Sequence, residues 1–391
     1  MPEKRILHAH LKRLKNGGVK VKYWDGDVQT YGPADPYVTL HIKDPRVVRK
    51  MLRSPSLGIG ESYAEGLLDV EGPLTDVVRL GIENPSQLRP IVRALTNPKL
   101  HRNIRARQKG YIAHHYDLGN DFYERWLDKQ MLYTCAYFRS PKDSLEKAQE
   151  QKIDYVLKKL RLQKGQSVAD LGCGWGTLLI TAAKKYGATG IGVTLSEEQV
   201  KYANAAAKKA GVHKQVKFEL LNYQALPERG QMFDRVVSVG MMEHVGRGNH
   251  HTYFETVDAL LKPGGVSVAH FISQQKELPN DPWIDKYIFP GGYLPTPREI
   301  TALLPRYDFR LTDYENLRPH YALTLHEWRE RFNKHRAWVE KKFDKKFFRM
   351  WDFWLACSEG SFKYGGIDLS HFVFTKGYTN DLPLTREDWY K

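Results

Sequence analysis

A chain of 391 residues is long enough to bury a large core and suggests one big domain with an appendage, or two domains. Hydrophobic residues make up 41% of it and no apolar run approaches the roughly 18 residues of a membrane-spanning helix, so a soluble globular protein is expected and an integral membrane protein is not. Sixty Lys and Arg against 45 Asp and Glu leave a formal charge of +15, which attracts polyanions; an anionic membrane surface and nucleic acid both fit, since both present phosphates.

The three cysteines, Cys135, Cys173 and Cys357, form no CxxC or metal-ligand spacing, which fits a reducing cytosol and argues against a metal site. The N-terminus is basic, but neither an apolar segment nor a small-residue cleavage site follows, so secretion is not expected.

Residues 3–15 place Leu7, Leu11 and Leu14 on one helical face ringed by basic groups. This reads equally as an interfacial helix on anionic lipid or as a helix docked on its own domain. Val19, Val21 and Tyr23 alternate with Lys20 and Lys22, Asp25-Gly26 is a hairpin signal, and Val38, Leu40 and Ile42 alternate again, so a small sheet is expected. Asp44-Pro45 caps a helix through Leu52, and Leu57–Leu80 combines a Gly-rich loop with the amphipathic segment Leu74–Leu80. Residues 1–98 thus read as a small α+β domain without a catalytic constellation, 99–110 as a basic linker, and 111–391 as a second domain. That domain opens with Tyr111–Tyr123, which holds His114, His115, Tyr116 and Asp117, and continues with Tyr133–Phe138. Both stretches are too polar for a core and too aromatic for a linker, and suggest a lid or pocket wall. Ser144 with Lys147 begins a helix to Leu160.

Ser167–Leu171 reads as a buried parallel strand ending in an acid; Gly172, Gly174 and Gly176 follow at every second position before a helical pattern from Thr177 to Tyr186. Glycine serves where the backbone turns sharply and where a ligand must approach it closely. The spacing is G-x-G-x-G, not the G-x-G-x-x-G of dinucleotide sites, and the second strand ends Thr194-Leu195-Ser196 with no acid to grip a ribose. Asp170 beside the open turn suits a cofactor with an amino acid and a nucleoside but no phosphate: S-adenosylmethionine. Three glycines alone would read as a plain turn.

Strands are expected at 167–171, 189–194, 216–221, 233–240 and 265–272, with helices at 177–186, 196–210 and 250–261, a doubly wound parallel sheet. Ligands of such sheets sit beyond the carboxyl ends of the strands. That brings together Asp170–Gly176, Thr194–Gln199, Asn222-Tyr223-Gln224, Gly240–Val245 and His270–Ser273. Lys262–Gly265 reads as the turn before the fifth strand, and Asn280–Thr296 as an apolar insert above the pocket. Leu325–Cys357 is helical and rich in Trp, Phe and Lys, and a last strand, Phe372–Lys376, is expected to pair with Phe309–Tyr314 at the sheet's edge.

The segments His114–Asn120, Tyr133–Phe138, Leu171–Gly176, Gly192–Ser196, Ser238–Gly246 and Tyr287–Gly292 resemble those of cyclopropane-fatty-acyl-phospholipid synthases, relatives of the mycolic acid cyclopropane synthases among the class I S-adenosylmethionine-dependent methyltransferases. The resemblance covers nearly the whole chain. It implies a Rossmann-like class I methyltransferase sheet, mostly parallel with an antiparallel edge strand, and makes the N-terminal α+β region a lipid-associating domain. The activity implied is methylene transfer from S-adenosylmethionine to the cis double bond of an acyl chain in a membrane phospholipid. The enzyme would work from the cytoplasm, peripheral on the inner face of the cell membrane. Its partners would be a bilayer with unsaturated acyl chains and an anionic surface, no nucleic acid, and a second copy of the chain in a homodimer.

An alkene is a poor nucleophile, so proximity and exclusion of water must do most of the work. The positive charge left on the acyl chain can be steadied by the aromatic faces of Tyr137, Phe138, Tyr287 and Phe289. Ring closure then needs a base. In the resembled family the base is a bicarbonate ion, at positions matching Cys135, Glu243, His270 and Tyr321 with the backbone of Ile272, and Cys357 matches a further cysteine regarded as catalytic. The expected cofactor contacts are Tyr133, Thr134, Asp170, Gly172, Gly174, Gly176, Thr194, Leu195, Ser196, Gln199, Asn222, Tyr223 and Gln224.

Two positions depart from the family pattern: Asn222 stands where an acid is common, and His371 replaces a usual glutamine. A lone Cys135 or His270 would by itself read as core. Glu243 and His244 are adjacent, so one of them is expected to face solvent or cap the next turn. The alternatives are methyl addition to a lipid olefin without ring closure and methylation of a small-molecule amine. A DNA methyltransferase lacks its motif, since Gly240-Met241-Met242-Glu243 follows the fourth strand. A non-catalytic membrane-binding protein leaves the glycine turn unexplained.

Overall fold

The structure, a computed structural model, describes residues 2–85, 118–379 and 382–390. The basic run Lys99–Lys109 and the stretch Tyr111–Asp117 lie outside the described residues. The chain forms two compact units, one of Met1–Leu100, Asn280–Pro290 and Ala322–Gly366, the other of His101–Pro279, Gly291–Tyr321 and Ile367–Lys391.

In the first unit, β1 (Val19–Lys22) pairs antiparallel with β2 (Val28–Tyr31) and parallel with β3 (Val38–Ile42), and β4 (Leu68–Glu71) lies antiparallel on β3. The expected alternation buries Val19, Val21, Val38, Leu40 and Ile42 on one face. Leu7 and Leu11 of the helix Pro2–Leu11, with Leu14 beyond it, pack into the same core. The leucine stripe is therefore docked on its own domain rather than laid open for lipid.

Leu57–Leu80 departs from its expected glycine loop. Residues Pro55–Ala64 form a helix that contains Gly58 and Gly60. A Cβ on Gly60 would stand within 3 Å of the Trp283 indole, and one on Gly58 would collide with the Met51 backbone. The glycines are there for close packing, not for turning. The helix Lys345–Lys363 contributes to the same unit: Arg349 donates to the Leu68 carbonyl at 2.9 Å and to Asp69 at 2.7 Å, and a Cβ on Gly360 would come 2.8 Å from the Thr75 carbonyl oxygen. The first unit is thus completed by a helix from the other end of the sequence.

The second unit holds a seven-stranded sheet, ordered β10-β11-β9-β8-β5-β6-β7. Its strands are β5 (Ser167–Leu171), β6 (Thr189–Thr194), β7 (Val216–Leu220), β8 (Phe233–Val239), β9 (Leu261–Ser273), β10 (Phe309–Asn316) and β11 (Asp368–Lys376). The strands β5 to β9 run parallel, as the strand-helix alternation requires. Alternate residues feed two cores: Ala169, Leu171, Phe271 and Phe372 one, Val168, Val268 and Val373 the other.

Two expectations need correction. The last strand pairs antiparallel with Phe309–Tyr314 at the sheet's edge as expected, but it begins four residues earlier, at Asp368, and is itself inserted between β9 and β10, leaving β10 outermost. An all-buried strand such as β11 needs a neighbour on each side for its backbone groups. The turn at Lys262–Gly265 is absorbed into β9 as a register shift against β8, with Gly264 at φ 73°.

Candidate active site

β5 delivers Asp170 to the carboxyl edge of the sheet, and the glycine turn follows. The amides of Gly172 and Cys173 both donate to the Val193 carbonyl, at 2.9 and 3.0 Å, which pins the turn to β6. The three glycines do different work. Gly174 (φ 53°) has open space where its Cβ would be and lines a cavity. Gly176 (φ 88°) has Ala203 and Phe218 within 2.8 Å of that position, so it permits close helix–strand packing and does not face the cavity.

The cavity and its open mouth together span about 1110 Å³ of space at the carboxyl edge of the sheet. Of the expected cofactor residues, Tyr133, Thr134, Asp170, Gly172, Gly174, Thr194, Leu195, Gln199 and Tyr223 line it. Ser196, Asn222 and Gln224 instead shape its edge: Ser196 caps the helix Glu197–Lys209 by accepting the Gln199 amide, and Asn222 accepts the Gln224 amide at 3.0 Å.

Lys152 escaped the sequence reading. Its ammonium is buried in the cavity wall and donates to Thr134 Oγ1 at 2.7 Å. The signal was a lysine on the inward face of the helix Leu145–Lys159, among Ala148, Ile153 and Val156. Burial pushes this ammonium down to about 8, partly offset by Asp128, Cys135 and Asp170, and pushes Asp170 up to about 7, partly offset by Lys152. Such a floor suits a ligand bearing both charges, and Gly174 leaves room for it.

At the end of β8, the short helix Met242–Val245 carries Glu243 and His244. His244 is half-buried and lines the open cavity, whereas Glu243 is buried. Glu243 Oε1 accepts the Ile272 amide at 3.3 Å, while Oε2 is buried without a partner among the described residues. Burial raises this carboxyl to about 7, against the lowering effect of backbone hydrogen bonds from Glu243 and Ile272. His270, on β9, accepts the Gly240 amide at its carbonyl (2.8 Å) and places its ring Nδ1 2.6 Å from His371 Nε2. Burial, aided by the Lys152 and Lys159 ammoniums, keeps both rings well below the ordinary histidine range.

Cys135 is fully buried, its thiol 3.2 Å from the Ala136 carbonyl, and follows Thr134 of the cavity wall directly. Tyr137 stacks between Tyr155 and His320, at 4.3 and 4.7 Å between ring centres, and the Phe138 amide donates to His320 Nδ1 at 3.0 Å. Tyr321 is the next residue on the helix Arg318–Lys334. Tyr287, Phe289 and Cys357 belong to the first unit: Tyr287 donates to Glu61 at 2.8 Å, Phe289 meets the edge of Trp354, and Cys357 is half-buried on the helix Lys345–Lys363 with its thiol raised by burial.

Residues 103–372 match the family model for mycolic acid cyclopropane synthetase. The chain belongs to that family. As a mycolic acid cyclopropane synthetase family member it is an S-adenosylmethionine-dependent methyltransferase. It is 38% identical over 364 residues to the cyclopropane-fatty-acyl-phospholipid synthase of Escherichia coli K12, covering 90% of this chain and 91% of that one. It is 35% identical over 388 residues to a probable fatty acid methyltransferase of Pseudomonas putida, with 95% and 96% covered. Among solved structures, the cyclopropane synthase MmaA2 of Mycobacterium tuberculosis superposes with a TM-score of 0.65 at 30% identity, over 68% of this chain and 98% of that one. Residues 6–89 match a second family model, a domain of unknown function.

Proposed function

We propose that this family member transfers a methylene group from S-adenosylmethionine to the cis double bond of acyl chains in membrane phospholipids and closes a cyclopropane ring. Bound S-adenosylmethionine supplies an electrophilic methyl carbon, and bicarbonate held near Glu243 and His270 supplies a base. The observation that carries ring closure is the buried Oε2 of Glu243, which has no hydrogen-bond partner among the described residues. A carboxyl held up to about 7 can carry a hydrogen there and donate it to an oxyanion, which an ionised carboxylate would repel. Cys135, Tyr321 and the neutral His270 would complete the holder. Methylation of an amine needs no such base, because that proton leaves readily to water.

The remaining residues exclude water and orient. Gly174 lets the cofactor approach the backbone, Asp170 and Lys152 face its charged amino-acid end, and Tyr137, its two ring faces covered by Tyr155 and His320, braces the wall and leaves only its edge for the acyl chain. Phe138 would help hold that chain. Phospholipid as substrate is supported by the E. coli relative, whose match spans 90% of the chain, and by the net charge of +15, which favours an anionic leaflet. Residues 1–98 are proposed to associate with lipid, with the enzyme peripheral on the cytoplasmic side of the membrane.

A second reading, methyl addition without ring closure, is favoured by the relative named a probable fatty acid methyltransferase. Mass spectrometry of anionic vesicles with monounsaturated chains, incubated with the protein and S-adenosylmethionine, separates the two. Cyclopropanation adds one methylene and abolishes ozonolysis of the chain. A methylene gained with the double bond retained supports the second reading, and a gain on the headgroup overturns both.

A further inference from the structure

His270 and His371 are register partners of the antiparallel β9 and β11 pair, and their ring nitrogens are 2.6 Å apart. His371 is fully buried, and its other nitrogen, Nδ1, has no hydrogen-bond partner among the described residues. Glu315 on β10 is register partner to His371, and its Oε2 is engaged by the Tyr155 hydroxyl at 2.7 Å and the Lys159 ammonium at 2.6 Å.

Both rings are neutral, so each carries one N–H, and a single hydrogen lies between them. If His270 were the donor, the hydrogen of His371 would sit on Nδ1, a buried N–H with no acceptor. If His371 donates through Nε2, the unpaired atom is a bare ring nitrogen, and the hydrogen of His270 sits on Nε2, on the side away from His371. A buried N–H without an acceptor is the costlier and rarer defect.

We propose that His371 is a positioning residue that fixes His270 as the Nε2–H tautomer, making His270 a hydrogen-bond donor to an oxyanion and not itself the base of the reaction. The role as anion donor rests on the bicarbonate reading above; the tautomer does not. A glutamine at 371 can play the same part, since its carboxamide N–H can donate to His270 Nδ1.

The test is long-range ¹H–¹⁵N spectroscopy of the full chain labelled with ¹⁵N-histidine, with His270 assigned by His270→Asn, in wild type, His371→Gln and His371→Leu. The expected result is a bare Nδ1 and protonated Nε2 on His270 in the first two proteins. His371→Leu should give mixed tautomers and a turnover lowered about 10–100-fold, the usual cost of losing a partner that orients a site histidine, with cofactor affinity unchanged. A protonated Nδ1 in the wild type, or an unaltered tautomer in His371→Leu, overturns the proposal. If His371→Leu does not fold, the other two spectra decide it. Turnover that is indifferent to added bicarbonate would remove the anion reading while leaving the tautomer assignment intact.

Discussion

Glu243 and Ile272 join the ends of two neighbouring parallel strands: Oε1 of the carboxyl accepts the Ile272 amide at 3.3 Å, and the second oxygen is buried without a partner among the described residues. With the carboxyl raised to about 7, that oxygen can carry a hydrogen and offer it to a bound ligand.

Activity should depend on that hydrogen. With the free-enzyme carboxyl near 7, kcat/KM should fall about tenfold per unit as pH rises above that value, while Glu243→Gln should lower turnover by roughly 10²-fold or more, remove this limb of the profile and leave cofactor affinity unchanged. An unaltered limb in the variant would assign the ionisation elsewhere.

The same group has a stability signature. Its folded value of about 7 lies above the ordinary 4.5, so its contribution to stability is fully present below pH 4.5 and lost as pH rises through 7, a swing of up to about 3 kcal/mol. Urea melts of wild type and Glu243→Gln should therefore differ in the variant's favour more at pH 8 than at pH 5. Parallel pH dependences would contradict the raised carboxyl.

Cofactor binding should release a proton. The positive charges of S-adenosylmethionine favour ionised Asp170, which burial holds protonated up to about 7 in the free protein. Calorimetry in buffers of different ionisation enthalpy should show release at pH 6 that fades by pH 8 and is absent in Asp170→Asn. Because the Lys152 ammonium is what holds the Asp170 carboxyl down against burial, Lys152→Met should extend the release to higher pH.

The glycines of the turn should separate into two classes. Gly174→Ala places a methyl in open space at φ 53°, costing about 1–2 kcal/mol of stability and weakening cofactor binding. Gly176→Ala adds a collision with Ala203 and Phe218, about 1–3 kcal/mol more, while the folded fraction keeps its cofactor affinity. Thermal melts with and without cofactor distinguish the pair.

In the first unit, Gly81→Ala within the helix Thr75–Glu83 meets nothing and should stabilise by about 0.5–1 kcal/mol, whereas Gly60→Ala must displace Trp283 and should destabilise. Equal effects at the two sites would show that Gly60 is not a packing glycine.

What the sequence determined by itself lies in short windows. The run from Ser167 to Tyr186 specifies strand, turn and helix through side-chain period and the sterics of three glycines, and Asp170 with the strand ends located the cavity. Cys135 and Tyr321 are not legible this way; their proposed roles come from resemblance alone.

The other features depend on partners far apart in the chain. His371 lies 101 residues from His270, and only the insertion of β11 between β9 and β10 brings their nitrogens together. Lys152 looks like any helical lysine until the wall it faces is known, and Gly60 looks like a loop residue until Trp283 arrives against it. Periodicity reports which face of an element is buried; it carries no record of what is buried opposite, and these site and packing features depend on that.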